Sequence, residues 1–189
     1  MIRLAVVGDI GSGKSHIAKL FGFPIFNADA EVSKLYKKNK KCYAKLKKAL
    51  PYHITSFPIK KSQLSKAIMS NKNALKKIIK VVHPEIKKIM HRFVKKNKNK
   101  SIVILDIPLL MENKINRKSD VIIFIDAKKK EINKRLKKRD NFNPKIVEKL
   151  KKLQLPLELK KKRSNFIIKN NFKNNYVKKN VKKILRKIL

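Results

Sequence analysis

The feature that most constrains this chain is the segment Gly8–Ser15, which reads Gly-Asp-Ile-Gly-Ser-Gly-Lys-Ser. It matches the pattern G-x-x-x-x-G-K-[ST] of a phosphate-binding loop, which requires a buried strand before it and a helix after it. The apolar run Arg3–Val7 predicts the strand, and Lys14–Phe21 predicts the helix. An ordinary glycine-rich turn that caps a helix is the alternative interpretation. The setting favours a parallel α/β sheet whose first strand ends at an anion-binding loop.

Each part of this loop has an expected role toward a nucleoside triphosphate. The glycines allow the positive φ angles with which a backbone wraps phosphates, so that successive N–H groups face the anion. We expect Lys14 to reach the β and γ phosphates. We expect the Ser15 hydroxyl to coordinate Mg²⁺, whose other positions would be filled by phosphate oxygens and water. The predicted ATP-binding residues of the loop are Asp9, Ile10, Gly11, Ser12, Gly13, Lys14, Ser15 and His16.

A second chemically informative residue is Asp29, which follows the strand candidate Pro24–Phe26. Ligands of parallel α/β sheets bind outside the carboxyl ends of the strands, so Asp29 is expected at the same edge as the loop. There it could accept a proton from an attacking hydroxyl group. Asp is also a favoured N-cap residue, and a helix is expected to begin near Ala30. The residue pattern alone leaves the two roles open.

Two further strands each end in an aspartate. The run Ile102–Leu105 is apolar up to Asp106, which resembles a Walker B ending and predicts a ligand of Mg²⁺ or of its water. The run Val121–Ile125 closes with Asp126, which we interpret as a cap of the helix starting near Lys128. With a last candidate near the C-terminus, the predicted sheet has five parallel strands, near residues 2–7, 24–27, 102–106, 121–125 and 166–168.

The helix after the fourth strand contains Arg135 and Arg139, two of only seven arginines in a chain with 45 lysines. Their i,i+4 spacing predicts that both project from one helix face. Kinases neutralise the transferring phosphoryl group with cations on a mobile segment, and such a pair suits that role. Two more solvated cations in a lysine-rich helix are the alternative. We predict that both arginines bind ATP.

The stretch between the second and third strands has a helical pattern and no convincing strand. We predict a helical insertion over residues 30–98, within an α/β core formed by residues 1–29, 99–128 and 164–189. Because Pro is favoured in the first turn of a helix, His83-Pro84 predicts a helix that starts there and runs to about Lys96. From the pattern alone, a buried or capping role for His83 is favoured over a catalytic one.

The composition limits the class of protein. With 52 Lys and Arg against 12 Asp and Glu among 189 residues, the formal net charge is +40, which would suit a polyanionic partner. The lysines are spread with Asn along nearly every helical segment, so compositional drift is favoured over a dedicated nucleic-acid surface. A single cysteine, Cys42, excludes an intramolecular disulfide and a Cys-based zinc site. The apolar runs are too short to span a bilayer and no signal-peptide pattern is present, so we expect a cytoplasmic protein without a membrane segment.

Together these segments resemble the dephospho-coenzyme A kinases, P-loop enzymes that phosphorylate the ribose 3′-hydroxyl of dephospho-CoA with ATP in the last step of coenzyme A synthesis. The segments that carry the resemblance are Gly8–Ser15, Asn27-Ala28-Asp29, His83-Pro84-Glu85-Ile86, Asp106–Asn113, Arg135, Arg139-Asp140, Gln154 and Ile167–Asn171. The resemblance implies ATP and dephospho-CoA as ligands, with Mg²⁺ as cofactor. It implies that Asp29 is the catalytic carboxylate, acting with Lys14, and that Arg139 belongs to a lid, residues 129–163, that closes on ATP. It further implies that the α/β core is a P-loop kinase core and that the helical insertion, residues 30–98, binds the substrate. It also implies a dephospho-CoA site lined or supported by His83, Pro108, Leu109 and Glu112.

The chain departs from the usual pattern of that family at several positions. Asp9 stands where a second glycine is usual, Asn27 replaces the first aspartate of Asp-Ala-Asp, and His16 replaces a threonine. Two rival hypotheses remain, namely another P-loop nucleotide or small-metabolite kinase, and a basic P-loop NTPase that acts on RNA. Aromatic-rich RNA-recognition signatures are lacking, since the chain has four Tyr and no Trp.

Overall fold

The computed structural model of this chain describes residues 1–140 and 142–189. They form two compact units. Unit 1 comprises Met1–Asn27 and Asn97–Leu189, and unit 2 comprises Ala28–Lys96. The described strands all belong to unit 1, whereas the regular elements of unit 2 are helices.

The strands of unit 1 form one sheet. They are β1 (Ile2–Gly8), β2 (Ile25–Asn27), β3 (Ile102–Asp106), β4 (Val121–Ala127) and β5 (Phe166–Asn170). All pairs are parallel and the order is β2-β3-β1-β4-β5, so β1 lies in the centre. This confirms the predicted five-stranded parallel α/β fold, with strand ends that differ from the prediction by at most two residues.

Helices make up most of the remaining described residues. They are α1 (Lys14–Leu20), α2 (Ala28–Lys38), α3 (Lys40–Ala49), α4 (Lys61–Ser70), α5 (Ala74–Lys96), α6 (Lys129–Lys137), α7 (Pro144–Lys151), α8 (Leu157–Lys162) and α9 (Asn174–Ile188). None of the helices in the described ranges is long and apolar enough to cross a membrane.

The core of unit 1 is built on the central strands, which are buried along nearly their whole length. Because helices cover both faces of a parallel sheet, such strands need apolar residues at consecutive positions, as β1 and β3 have. Ile17 of α1 and Val177 and Val181 of α9 pack into the same buried cluster. This packing holds the start of α1, and therefore the phosphate loop, against the sheet.

A buried ion pair joins the beginning of β1 to Asp120, the residue before β4. The Arg3 guanidinium on β1 donates to Oδ2 of Asp120 at 3.0 Å, and the same oxygen accepts the backbone N–H of Arg117 at 2.9 Å. Both charged side chains are almost fully buried. Burial raises the pKa of Asp120, while the hydrogen bond from Arg117 and the charge of Arg3 oppose that rise. Sequence reasoning did not predict this pair.

Unit 2 is held together by amphipathic helices. On α5 the buried residues recur every four positions, which is the spacing of one helix face. They are Ala74, Ile78, Val82, Ile86 and Met90. Leu35 on α2 and Cys42 and Leu46 on α3 are also buried. The carboxamide of Asn39 caps α3 by accepting the N–H of Cys42 at 2.8 Å, and burial raises the pKa of the Cys42 thiol.

Two local predictions were wrong. The helix expected to begin at His83-Pro84 begins at Ala74, and Pro84 lies exposed in its interior. A proline there removes one backbone hydrogen bond, but the buried stripe on both sides of it stabilises the longer helix. Asp126 does not cap α6, because β4 continues through it to Ala127 and its carboxylate lies 3.4 Å from Nζ of Lys161.

Candidate active site

The predicted phosphate loop lies between β1 and α1, at the carboxyl edge of the sheet. Its three glycines have φ angles of 145°, 86° and 92° at Gly8, Gly11 and Gly13, which side chains rarely allow. A β-carbon at Gly8 would lie 2.7 Å from the carbonyl oxygen of Ile125. The strand-loop-helix context required by the motif is therefore present.

Lys14, the first residue of α1, folds back over this loop. Its ammonium donates to the carbonyl oxygens of Asp9 at 2.7 Å and Gly8 at 3.2 Å. The Asp9 carbonyl also accepts the N–H of Ser12 at 3.2 Å, which closes the turn of the loop. The Lys14 ammonium therefore lies against the backbone of the loop. A cation beside a loop of backbone groups suits the binding of a polyanionic phosphate chain.

Asn170, the last residue of the edge strand β5, supports the loop through its side chain. Its side-chain amide donates to the Ser12 carbonyl at 2.8 Å, and its side-chain oxygen accepts the N–H of Phe172 at 2.9 Å. A β-carbon at Gly13 would lie 2.5 Å from the Asn170 amide nitrogen, so only glycine leaves room for this contact. Asn170 belongs to the segment that carried the family resemblance, but the residue pattern predicted no role for it.

The residues predicted to hold Mg²⁺ are Ser15 and Asp106. Ser15 is exposed at the second position of α1, and Asp106 is buried at the end of β3, paired in register with Val6 of β1. Its Oδ2 accepts the side-chain amide of Asn27 at 2.6 Å. Among the described residues no group of three or more His, Cys, Asp and Glu is arranged to hold a metal. A hydroxyl and one carboxylate fit a cation that takes most of its ligands from phosphate and water.

Asp29 is the second residue of α2, two positions after the end of β2. The helix therefore begins before it, and the interpretation of Asp29 as an N-cap is wrong. Its side chain is exposed, in the first turn of the helix, where the helix dipole favours a negative charge. An exposed carboxylate two positions after the carboxyl end of a parallel strand suits a role toward a ligand.

The two arginines predicted to share one helix face do not do so. Arg135 lies in the last turn of α6, which ends at Lys137, whereas Arg139 follows in the turn beyond the helix. The Arg135 guanidinium stacks 4.6 Å from the centre of the Phe172 ring, a cation–π contact that fixes its position. Phe172 in turn is tied to Asn170, so Arg135 is connected to the phosphate loop through two residues.

The segment after β3 contains Pro108, Leu109 and Glu112. Pro108 and Leu109 are half-buried in consecutive turns, and the Leu109 carbonyl accepts both the backbone and the side-chain N–H of Asn113. Glu112 is buried, and its Oε1 accepts Nζ of Lys160 and the N–H of Leu155, each at 3.0 Å. Lys160 is 1% exposed. The structure thus places Glu112 as an anchor between this segment and α8.

His83 belongs to unit 2, where it is half-buried in the middle of α5. The loop residues, Asp106, Arg135 and Glu112 belong to unit 1, whereas His83 and Asp29 lie in helices of unit 2.

Sequence reasoning missed Lys160, Asn170, Phe172 and Lys151, the last of which contacts the phosphate loop. Lysines are so numerous in this chain that no signal distinguishes a buried one from a solvated one. Asn170 and Phe172 act on residues more than 30 positions away, which no local pattern reports.

The family model and the curated relatives that match this chain carry the same description. The CoaE family model, described as dephospho-CoA kinase, matches residues 2–175. A dephospho-CoA kinase from Wolbachia sp. subsp. Brugia malayi is 32% identical over 170 residues, which cover 87% of each chain. The dephospho-CoA kinase of Bartonella quintana is 30% identical over 170 residues, again covering 87% of each.

Solved structures have the same fold. The structure of TT1252 from Thermus thermophilus superposes with a TM-score of 0.78 at 26% identity, covering 100% of this chain and 98% of that one. Dephospho-CoA kinase from Campylobacter jejuni gives a TM-score of 0.64 at 25% identity, covering 98% and 96%. Since the family model spans most of the chain and includes the phosphate loop, the chain belongs to the dephospho-CoA kinase family.

Proposed function

We propose that this protein transfers the γ-phosphoryl group of ATP to the ribose 3′-hydroxyl of dephospho-CoA, giving coenzyme A and ADP. The observation that carries the proposal is the loop Gly8–Ser15, with the Lys14 ammonium held above its backbone, in a chain whose family model covers residues 2–175. Such a transfer has little covalent chemistry for the protein to perform, so positioning and electrostatic stabilisation account for most of the catalysis.

At the donor side, the loop N–H groups and Lys14 would bind the β and γ phosphates. As the bond between the γ phosphorus and the bridging oxygen breaks, negative charge grows on the β-phosphate, and Lys14 is placed to stabilise it. Ser15 would hold Mg²⁺, with Asp106 orienting its water, and the metal would supply further neutralisation of phosphate charge. His16, beside Ser15, is fixed by a 2.8 Å hydrogen bond between its Nε2 and the Asn174 side chain.

At the acceptor side, Asp29 would orient the 3′-hydroxyl and take its proton as the oxygen attacks phosphorus. Its exposure and its place directly after β2 support this role. Arg139 would act from the lid, over residues 129–163, on the charge of the transferring group, and Arg135 would bind ATP from the last turn of α6. The turn beyond α6 that contains Arg139 leaves this side chain exposed.

We assign the dephospho-CoA site to the helical insertion, residues 30–98, together with the segment after β3. Pro108 and Leu109 would contact the acceptor directly, because they are only half-buried. Glu112 would support that segment through Lys160 rather than touch the acceptor. His83, half-buried on α5, would be an acceptor-binding residue of the insertion.

The decisive experiment is a coupled ADP-release assay with dephospho-CoA, with a nucleoside monophosphate and with no acceptor. We expect turnover with dephospho-CoA to exceed the rate without acceptor by orders of magnitude, and NMR of the product to place the new phosphate on the 3′-oxygen. Turnover only with a nucleoside monophosphate would identify a different small-molecule kinase. Salt-dependent RNA binding without any small-molecule acceptor would instead indicate an RNA-associated NTPase.

A further inference from the structure

The phosphate loop of this chain contains a carboxylate, and the structure pairs it with a lysine from α7. Oδ2 of Asp9 lies 3.6 Å from Nζ of Lys151, the last residue of that helix. The Asp9 side chain is 13% exposed and that of Lys151 is 34% exposed. The two residues are far apart in sequence, and both belong to unit 1.

The Asp9 carboxylate is held in place by the loop itself. Its Oδ1 accepts the N–H of Ile10 at 2.7 Å, and its backbone carbonyl accepts the Lys14 ammonium. Turning the carboxylate away from the loop would therefore break a charge-assisted hydrogen bond at the site where phosphates bind.

A fixed carboxylate in a phosphate-binding loop opposes the binding of a polyanion. Because Asp9 is largely buried, solvent and salt screen its charge less than they screen surface charges. A nearby cation removes most of this repulsion, and Lys151 is in ion-pair contact with the Asp9 carboxylate. The Lys14 ammonium donates to the backbone carbonyl of the same residue.

We propose that Lys151 is a positioning residue of the nucleotide site, which neutralises Asp9 and so allows the loop to accept a triphosphate. The inference rests on the proposed ATP site and is independent of the identity of the acceptor. It predicts that removing the charge of Lys151 lowers nucleotide affinity when residue 9 is Asp. The same change should have little effect on affinity when residue 9 is neutral.

The test is isothermal titration of the full chain with Mg·ATP and with Mg·ADP, for Lys151→Met, Asp9→Asn and the double variant. Lys152→Met is the matched control. It removes the same charge at the next position of the chain, where the lysine pairs with Glu148 and not with Asp9. We expect Lys151→Met to weaken ATP binding by about fivefold or more, and Lys152→Met by less than about twofold. In the Asp9→Asn background the effect of Lys151→Met should shrink to within about twofold.

Two outcomes would overturn the proposal. Equal losses for Lys151→Met and Lys152→Met would show a general charge effect. An undiminished loss for Lys151→Met in the Asp9→Asn background would show that Lys151 acts on the nucleotide without Asp9. Thermal melting of each variant checks folding, and Lys151→Arg, which keeps the cation, should bind ATP nearly as the parent does. Because binding needs no acceptor, a failure of the dephospho-CoA assignment would leave these results interpretable.

Discussion

The two units of this protein bury different kinds of side chain. In unit 1 the buried polar or charged residues are Arg3, Ser12, Asp106, Asp120, Lys160 and Asn170. Unit 2, all of which the structure describes, buries Ala, Ile, Leu, Val, Met and one Cys, and no charged or hydrogen-bonding polar side chain. Both units are rich in lysine, and this contrast between them lies in the interior.

This difference follows from what each unit has to hold in place. Apolar contacts are non-directional, so a face of Ile, Leu and Val tolerates small shifts of one helix against another. A buried hydrogen bond or ion pair is costly unless its geometry is met, and it therefore specifies one arrangement. In unit 1 such bonds surround the phosphate loop and the segment after β3, where a shift of an ångström would misplace reacting groups.

The largest expected effect is on unit 1. Lys14→Ala should abolish phosphoryl transfer, a loss of about 10³-fold or more in kcat, because the loop then offers only neutral N–H donors to the developing charge. Steady-state turnover measures the effect, and Lys19→Ala, an exposed lysine on the same helix, is the control. If Lys14→Ala turned over at nearly the rate of the parent protein, the assignment of Gly8–Ser15 as the phosphate-binding loop would be wrong.

The next effect tests whether unit 2 contributes chemistry as well as packing. Asp29→Asn should lower kcat by about 10²-fold or more, since an amide cannot take the proton of the attacking hydroxyl. Its melting temperature and ATP affinity should remain those of the parent. Glu31→Gln, in the same first turn and paired with Lys34, is the control. A kcat within about threefold of the parent would assign the catalytic base to another residue.

A third prediction concerns the specificity of the buried polar contacts in unit 1. Lys160→Met should lower the free energy of unfolding by about 3–5 kcal/mol, because it leaves the Glu112 charge buried and unpaired. The double variant Lys160→Met/Glu112→Gln should recover most of that loss, since Gln is neutral and keeps an acceptor for the N–H of Leu155. Urea denaturation measures both. Additive losses in the double variant would show that the pair is not coupled.

The smallest effect is expected in the apolar core of unit 2. Ile78→Val removes one buried methylene group and should cost about 0.5–1.5 kcal/mol, with kcat unchanged. Thermal melting should show a fall of a few degrees at most. A loss as large as that of Lys160→Met would mean that unit 2 is packed as specifically as unit 1, and the contrast between the units would fail.

Much of unit 1 could be predicted because its signals are local. The glycines, lysine and serine of the loop are adjacent in the chain, and β1, β3 and β4 are continuous apolar runs. The start of α5 could not be predicted, because His83-Pro84 is a local signal for a helix start, and the burial of Ala74 and Ile78 outweighs it. The i,i+4 spacing of Arg135 and Arg139 was also misleading, because α6 ends at Lys137 and Arg139 lies beyond the helix.

The sequence by itself determined the α/β class, the phosphate loop and the family, because each depends on residue types at fixed, short spacings. Apart from Lys14, tertiary structure alone decided which of the 45 lysines contact the phosphate loop or pair with a carboxylate inside unit 1. Lys160 is buried against Glu112, Lys151 reaches Asp9, and Lys14 closes over the loop. An ion pair acts through space over a few ångströms, so the fold brings its partners together from distant parts of the chain. Except for Lys14, which its motif identifies, a lysine's neighbours in sequence do not reveal its partner.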